Sequence, residues 1–168
     1  MTASGNAVDS DILPAMSKKS IILVALLLIS LVIIYFLWPS DEARIRRLFR
    51  EGATAVEEEK IDVVMAKVSF NYSDDSGLTY LILKDAFGRF FKQMDHIKIE
   101  YGITAIRVDD AKAVAEVDVR VVASSGTDTG YVVGDAGTAA RMTFYLEKER
   151  SRWLVTKTEG MQKVMGGQ

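Results

Sequence analysis

The chain changes its hydrophobic pattern three times, and each change predicts a different kind of element. From Ser20 to Trp38 the residues are apolar without interruption by charge, Ser30 being the one strongly polar break. Nineteen helical residues reach roughly 28 Å, close to the hydrocarbon thickness of a bilayer. Apolar positions then recur at helical spacing through Ile45, Leu48, Phe49, Gly52, Ala53 and Val56, and again through Tyr80, Leu83, Ala86, Phe87, Phe90, Phe91 and Met94. These stripes predict two amphipathic helices, the second carrying Phe87, Phe90 and Phe91 on one face as the main core element. From Ile97 onward the period drops to two.

In that last region Ile97, Ile99, Tyr101 and Ile103 alternate with polar residues, after which the apolar phase slips to Ile106 and Val108. A slip of one residue within a continuous strand predicts a β-bulge between Gly102 and Ala105. Asp109-Asp110-Ala111 is a turn. Ala115, Val117, Val119 and Val121 then alternate with Glu116, Asp118 and Arg120, a half-buried strand whose acids face solvent. Met142, Phe144 and Leu146 mark a third strand, and Trp153 with Val155 a fourth, joined by a tight turn at Glu149 to Ser151. Between the second and third lies the Gly-, Ser- and Thr-rich stretch Ser124 to Ala140, read as a long functional loop or an extended hairpin tip.

Local signals place the boundaries. Pro39-Ser40 ends the apolar helix and starts the next, with Ser40 as N-cap and Asp41 and Glu42 on the favourable first turn. Asp62 is expected to cap a short helix over Val63 to Val68, and Asn71 to Gly77 is turn-rich. The domain plan is a disordered tail over 1–17, a membrane anchor over 18–39, an α+β domain over 40–160 and a short tail over 161–168. Lys18 and Lys19 suit one membrane interface, Tyr35 and Trp38 the other. The bulky Leu37-Trp38-Pro39 end has no small-x-small cleavage site, so an uncleaved signal anchor is expected.

Charge adds little to this picture except at the membrane. The net charge is −2 and basic residues are interspersed with acidic ones, so nucleic acid is not an expected partner. Arg44, Arg46, Arg47 and Arg50 follow the span and, counted alone, argue for a cytoplasmic domain. They lie on an amphipathic helix of the folded domain, which translocates largely regardless of charge, so a periplasmic, single-pass placement in the cell membrane is expected. As a group these arginines read either as a basic collar on anionic headgroups or as a solvated face with pairs such as Arg47 and Glu51.

The absence of Cys and the presence of one His exclude thiolate and ordinary zinc sites, and no cofactor or metal is expected. Read against the calcium loop pattern from Asn71, the sixth position is Ser76 and the twelfth Ile82, so that reading fails. The glycines at 126, 130, 134 and 137 match no phosphate-binding motif.

The order of helix, short helix, turn, long aromatic helix and four consecutive strands, with the Asn71-Tyr72 turn and the final Arg152-Trp153-Leu154-Val155 strand, resembles the nuclear-transport-factor-2-like superfamily, also called ketosteroid-isomerase-like or SnoaL-like. The resemblance implies a cone: two to three helices packed on a curved antiparallel sheet of about four strands. The bitopic scaffold subunits of type IV secretion systems and the Mce-associated membrane proteins are similar in topology, pairing one span with a cone domain. Enzymes of this superfamily keep an acid and a base in the pocket. Here the strand-borne acids face outward, leaving Tyr72, Tyr101 and His96 as the catalytic candidates and Tyr72, Tyr80, Phe87, Phe91 and Tyr101 as pocket candidates. Asp95 neighbours His96 but points to the opposite strand face, and a helix-end role for His96 is favoured. The expectation is a membrane-anchored, non-catalytic binding or scaffold domain engaging a small apolar ligand, a protein partner or a second copy of the chain. A pocket isomerase or dehydratase is the alternative.

Overall fold

A computed structural model describes residues 18–37 and 40–160, which divide into two compact units on either side of Pro39. The first contains helix α1, Lys18–Leu37, 20 residues long. Its described side chains are those of Lys19 and residues 22–30, and all are exposed. Over the described residues no helix is long and apolar enough to cross a membrane; the α1 backbone itself runs for roughly 30 Å. Trp38 and both tails, 1–17 and 161–168, lie outside the described residues, and for Lys18 and Tyr35 only the helical backbone is described.

The second unit has three helices, α2 (Asp41–Glu57), α3 (Ile61–Met65) and α4 (Tyr80–Gln93), followed by five strands, β1 (Asp95–Asp109), β2 (Lys112–Ser125), β3 (Asp128–Val133), β4 (Ala140–Glu149) and β5 (Arg152–Glu159). All five form one antiparallel sheet in the order β1-β2-β4-β5. The strand β2 is long enough to serve two partners on one edge: its first half pairs β4 and its last five residues pair β3. The expected four strands are thus five. Val132 and Val133 put β-branched residues on the extra strand, and Gly126 at φ 63 closes the hairpin that brings it back onto β2.

Several boundaries follow the local chemistry. The Ser40 side chain accepts a hydrogen bond from the Ala43 amide at 3.2 Å, capping α2. The bulge in β1 falls between Ile103 and Ala105. The β4–β5 turn closes through Arg150 (φ 47) and Ser151 (φ 71), the paired left-handed geometry of a tight hairpin. Asp62 does not cap α3, which starts at Ile61 with Lys60 before it; Asp62 sits inside the first turn and accepts from Lys84 Nζ at 3.4 Å.

The core lies between the helices and the inner face of the sheet. Ile45 and Leu48 of α2 and Leu83 of α4 pack on Ala113, Ala115, Val117, Leu146, Trp153 and Val155. A smaller cluster gathers Phe90 and Phe91 over Ile97, Val121 and Ala123. The aromatic face of α4 is therefore split: Phe87 belongs to the first cluster, Phe90 and Phe91 to the second, and only Leu83 of that helix is fully buried. The outer sheet face is an ion-pair lattice, with Asp118 on Arg141 at 2.8 Å, Arg120 on Glu100 at 2.9 Å, and Glu116 on Arg107.

A candidate ligand cavity inside the cone

The cone interior is not filled. A cavity of about 200 Å³ remains between α2, α3, α4 and the concave face of the sheet. Its walls are apolar: Phe49, Gly52, Ala53 and Val56 from α2, Val64 and Val68 around α3, Leu83 and Phe87 from α4, and Ile99, Val117, Val119, Phe144 and Val155 from the strands. The helical spacing that buries Ile45 and Leu48 also turns Gly52 and Ala53 inward, and these two small residues leave the space open. An added Cβ on Gly52 would meet no atom within 4 Å.

Four polar residues reach the cavity: Lys67, Tyr72, Tyr101 and Thr158. Tyr72 is buried, with 2% of its surface exposed, and its hydroxyl donates to Asp74 Oδ2 at 3.2 Å. Burial pushes the Tyr72 phenol up to about 12, the Thr158 hydroxyl pulling the other way and the Asp74 carboxylate adding to the rise. Asp74 is itself buried in the turn. Burial opposes its ionisation, but Ser76 Oγ at 2.7 Å and the Ser76 and Leu78 amides, each at 2.9 Å, all donate to Oδ1 and outweigh that, so the carboxyl stays below its ordinary range. Tyr72 therefore faces a carboxylate that is already a turn centre. Lys67 Nζ is bound to Glu51, whose carboxyl is held down to about 2 by hydrogen bonds from Lys67 and Arg47.

The structure brings Tyr72, Phe87 and Tyr101 together on the cavity wall. It places the other candidates elsewhere. Tyr80 stacks on Phe70 with ring centroids 4.5 Å apart, and Phe91 packs on Phe87 and Phe90 in the second cluster. His96 is exposed at φ 52, where the β1 register shifts between Asp95 and Lys98, so it neither lines the cavity nor caps α4, which ends at Gln93. Lys67, Asp74 and Thr158 were not singled out by sequence. Asp74 carried a usable signal, the Asp-x-Ser turn pattern; Lys67 and Thr158 reach the site only through tertiary packing. Among the described residues no group of three or more acidic or His residues could hold a metal ion.

No family model matches the chain, and no curated protein matches it in sequence. Solved structures do match in shape. A ketosteroid isomerase-like protein from Erwinia carotovora atroseptica superposes with a TM-score of 0.55 at 14% identity over 69% of this chain and 91% of that one. An NTF-2-like protein of unknown function from Shewanella oneidensis gives 0.53 at 16% identity over 71% and 97%. The fold is the nuclear-transport-factor-2-like cone. Bd1075 from Bdellovibrio bacteriovorus gives 0.56 at 13% identity over 68% of this chain, which spans only 38% of that protein. At such identities the likeness is one of cone architecture, which hosts many chemistries and specifies none.

Proposed function

We propose that the chain is a membrane-anchored, non-catalytic binding protein of the cell envelope whose cone cavity takes a small apolar ligand. The observation that carries this reading is the cavity wall: it is mostly aliphatic and aromatic, and of its four polar residues the Tyr72 hydroxyl already donates to a carboxylate and the Lys67 ammonium is already paired, leaving Tyr101 and Thr158. An acid or base acting on a substrate must be within hydrogen-bond reach of it and free to exchange a proton. The volume, below the roughly 300–1,000 Å³ of drug-sized pockets, favours a small occupant.

The anchor rests on α1, whose sequence has no charge beyond Lys19 and whose described side chains from Ile22 to Ile29 are apolar and exposed. A helix apolar all round belongs in hydrocarbon or a large core. On this reading the domain lies on the periplasmic side, because the arginines after the span belong to a folded helix that translocates largely regardless of charge, and the bilayer is its constant partner.

Three measurements test the reading. The chain should stay with membranes through alkaline carbonate extraction, and C-terminal reporter fusions should be active only outside the cytoplasm. Hexanol should bind the full chain in proportion to protein, and polar molecules without an alkyl tail, such as glycerol, should not displace it. Extraction into the soluble fraction would remove the anchor; turnover of any small carbonyl substrate, abolished by Tyr101→Phe, would replace the binding reading with the enzymatic one.

A further inference from the structure

Beside the cavity lies a cleft of about 350 Å³ between α2, the segment after α3 and the start of β5. Its chemistry is opposite. Arg44 and Arg47 of α2, Lys67 and Arg152 all border it, and Glu51 is the one carboxylate among its lining residues. That carboxylate is shared: Arg47 Nε donates to one oxygen at 2.6 Å and Lys67 Nζ to the other. The nearby Asp41 offers little, because Lys148 Nζ at 2.9 Å and Trp153 Nε1 at 3.1 Å occupy its oxygens, leaving Arg44 at 3.9 Å. Arg152 has no ion pair among the described residues.

Four cations from three separate segments thus border a cleft lined by one carboxylate, with Asp41 in longer contact with Arg44 alone of the four, an arrangement whose mutual repulsion a bound anion would relieve. Arginine forks match the oxygens of a phosphate in shape as well as charge. Lys67 lines both hollows. A ligand reaching both would have an apolar wall on one side of this residue and a cationic one on the other.

We propose that the ligand is an anionic amphiphile of the alkyl phosphate class, its short tail in the apolar cavity and its phosphate held in the cleft by Arg44, Arg47, Lys67 and Arg152. The tail half rests on the apolar-ligand reading above; the head half stands on the cleft. Glu51 acts as the resting counter-ion, yielding Lys67 and Arg47 to the phosphate when ligand enters.

The test is calorimetric titration of the full chain, reconstituted in phosphatidylcholine nanodiscs with empty discs as blank, using hexyl phosphate, hexanol and inorganic phosphate. Hexyl phosphate should bind at least tenfold tighter than either of the others. Arg44→Gln and Arg152→Gln should each weaken it several-fold and leave hexanol unchanged, whereas Glu51→Gln should tighten it, a sign that a structural ion pair would not produce. Discs containing phosphatidate separate the sources: competition with hexyl phosphate assigns the head to membrane lipid, and its absence assigns it to a soluble alkyl phosphate, the class being upheld in both. Hexyl phosphate binding no tighter than hexanol overturns the proposal while sparing the apolar cavity. Binding of neither overturns both.

Discussion

Replacing Gly52 by alanine should stabilise the domain and weaken its ligand at the same time. Gly52 lies inside α2, where a glycine costs about 0.5–1 kcal/mol relative to alanine because its backbone has more freedom to lose. That gain is usually offset when the new methyl collides with a neighbour. Here a Cβ meets no atom within 4 Å, so the whole increment should survive, a rise in Tm of roughly 2–6 °C for a domain of this size. The methyl would stand in the cavity that Gly52 lines. Overpacking a filled site costs about 1–3 kcal/mol, and since roughly 1.4 kcal/mol is tenfold in affinity, hexanol binding should fall by about an order of magnitude. Gly52→Leu should remove binding altogether without unfolding the chain. Thermal denaturation and calorimetric titration on the same preparations read both quantities. A lower Tm for the alanine variant would show that the space is not empty; a higher Tm with unchanged affinity would show that the ligand does not touch this wall.

Other consequences concern the polar turn and the titrating groups. Asp74→Ala should cost about 2–3 kcal/mol in urea denaturation, because the Ser76 and Leu78 amides and the buried Tyr72 hydroxyl all lose their acceptor; a change within 0.5 kcal/mol would contradict the assigned role. Glu51 ionises in the fold near 2 rather than 4.5, so its contribution is present above about 4.5 and is lost as pH falls toward 2. Glu51→Gln should flatten that acid limb, modestly and less at high salt, because the carboxylate is partly solvated. Tyr72 is displaced in the opposite sense: its phenol stays protonated to about 12, so the stability linked to it is intact below the unfolded value of 10.0 and is lost as pH rises through 12. Denaturation curves between those limits should therefore shift downward for the parent chain and less for Tyr72→Phe.

Periodicity alone revealed the two long helices of the domain, the bulge near Ala105 and the strands that carry Ala115, Val117 and Leu146, because each buries one face against a single layer and a half-buried element must repeat its apolar residues at its own period. Residue identity, without periodicity, marked the apolar segment of α1 and the Ser40 cap, both of which are local in origin. The strand β3 was legible only as the hairpin-tip alternative for Ser124 to Ala140, because it pairs only the far end of β2 and leaves most of its side chains exposed, so Asp128 to Val133 have no alternation to display. The cavity escaped for a different reason. Its walls come from residues as far apart as Phe49 and Thr158, and an empty space has no sequence; it exists because Gly52 and Ala53 of α2 face a curved sheet that the phenyl rings of Phe90 and Phe91, packed instead over Ile97, do not fill. His96 shows the same limit from the other side, since its chemistry made it a candidate and only the left-handed turn of the backbone at the start of β1 placed it in solvent.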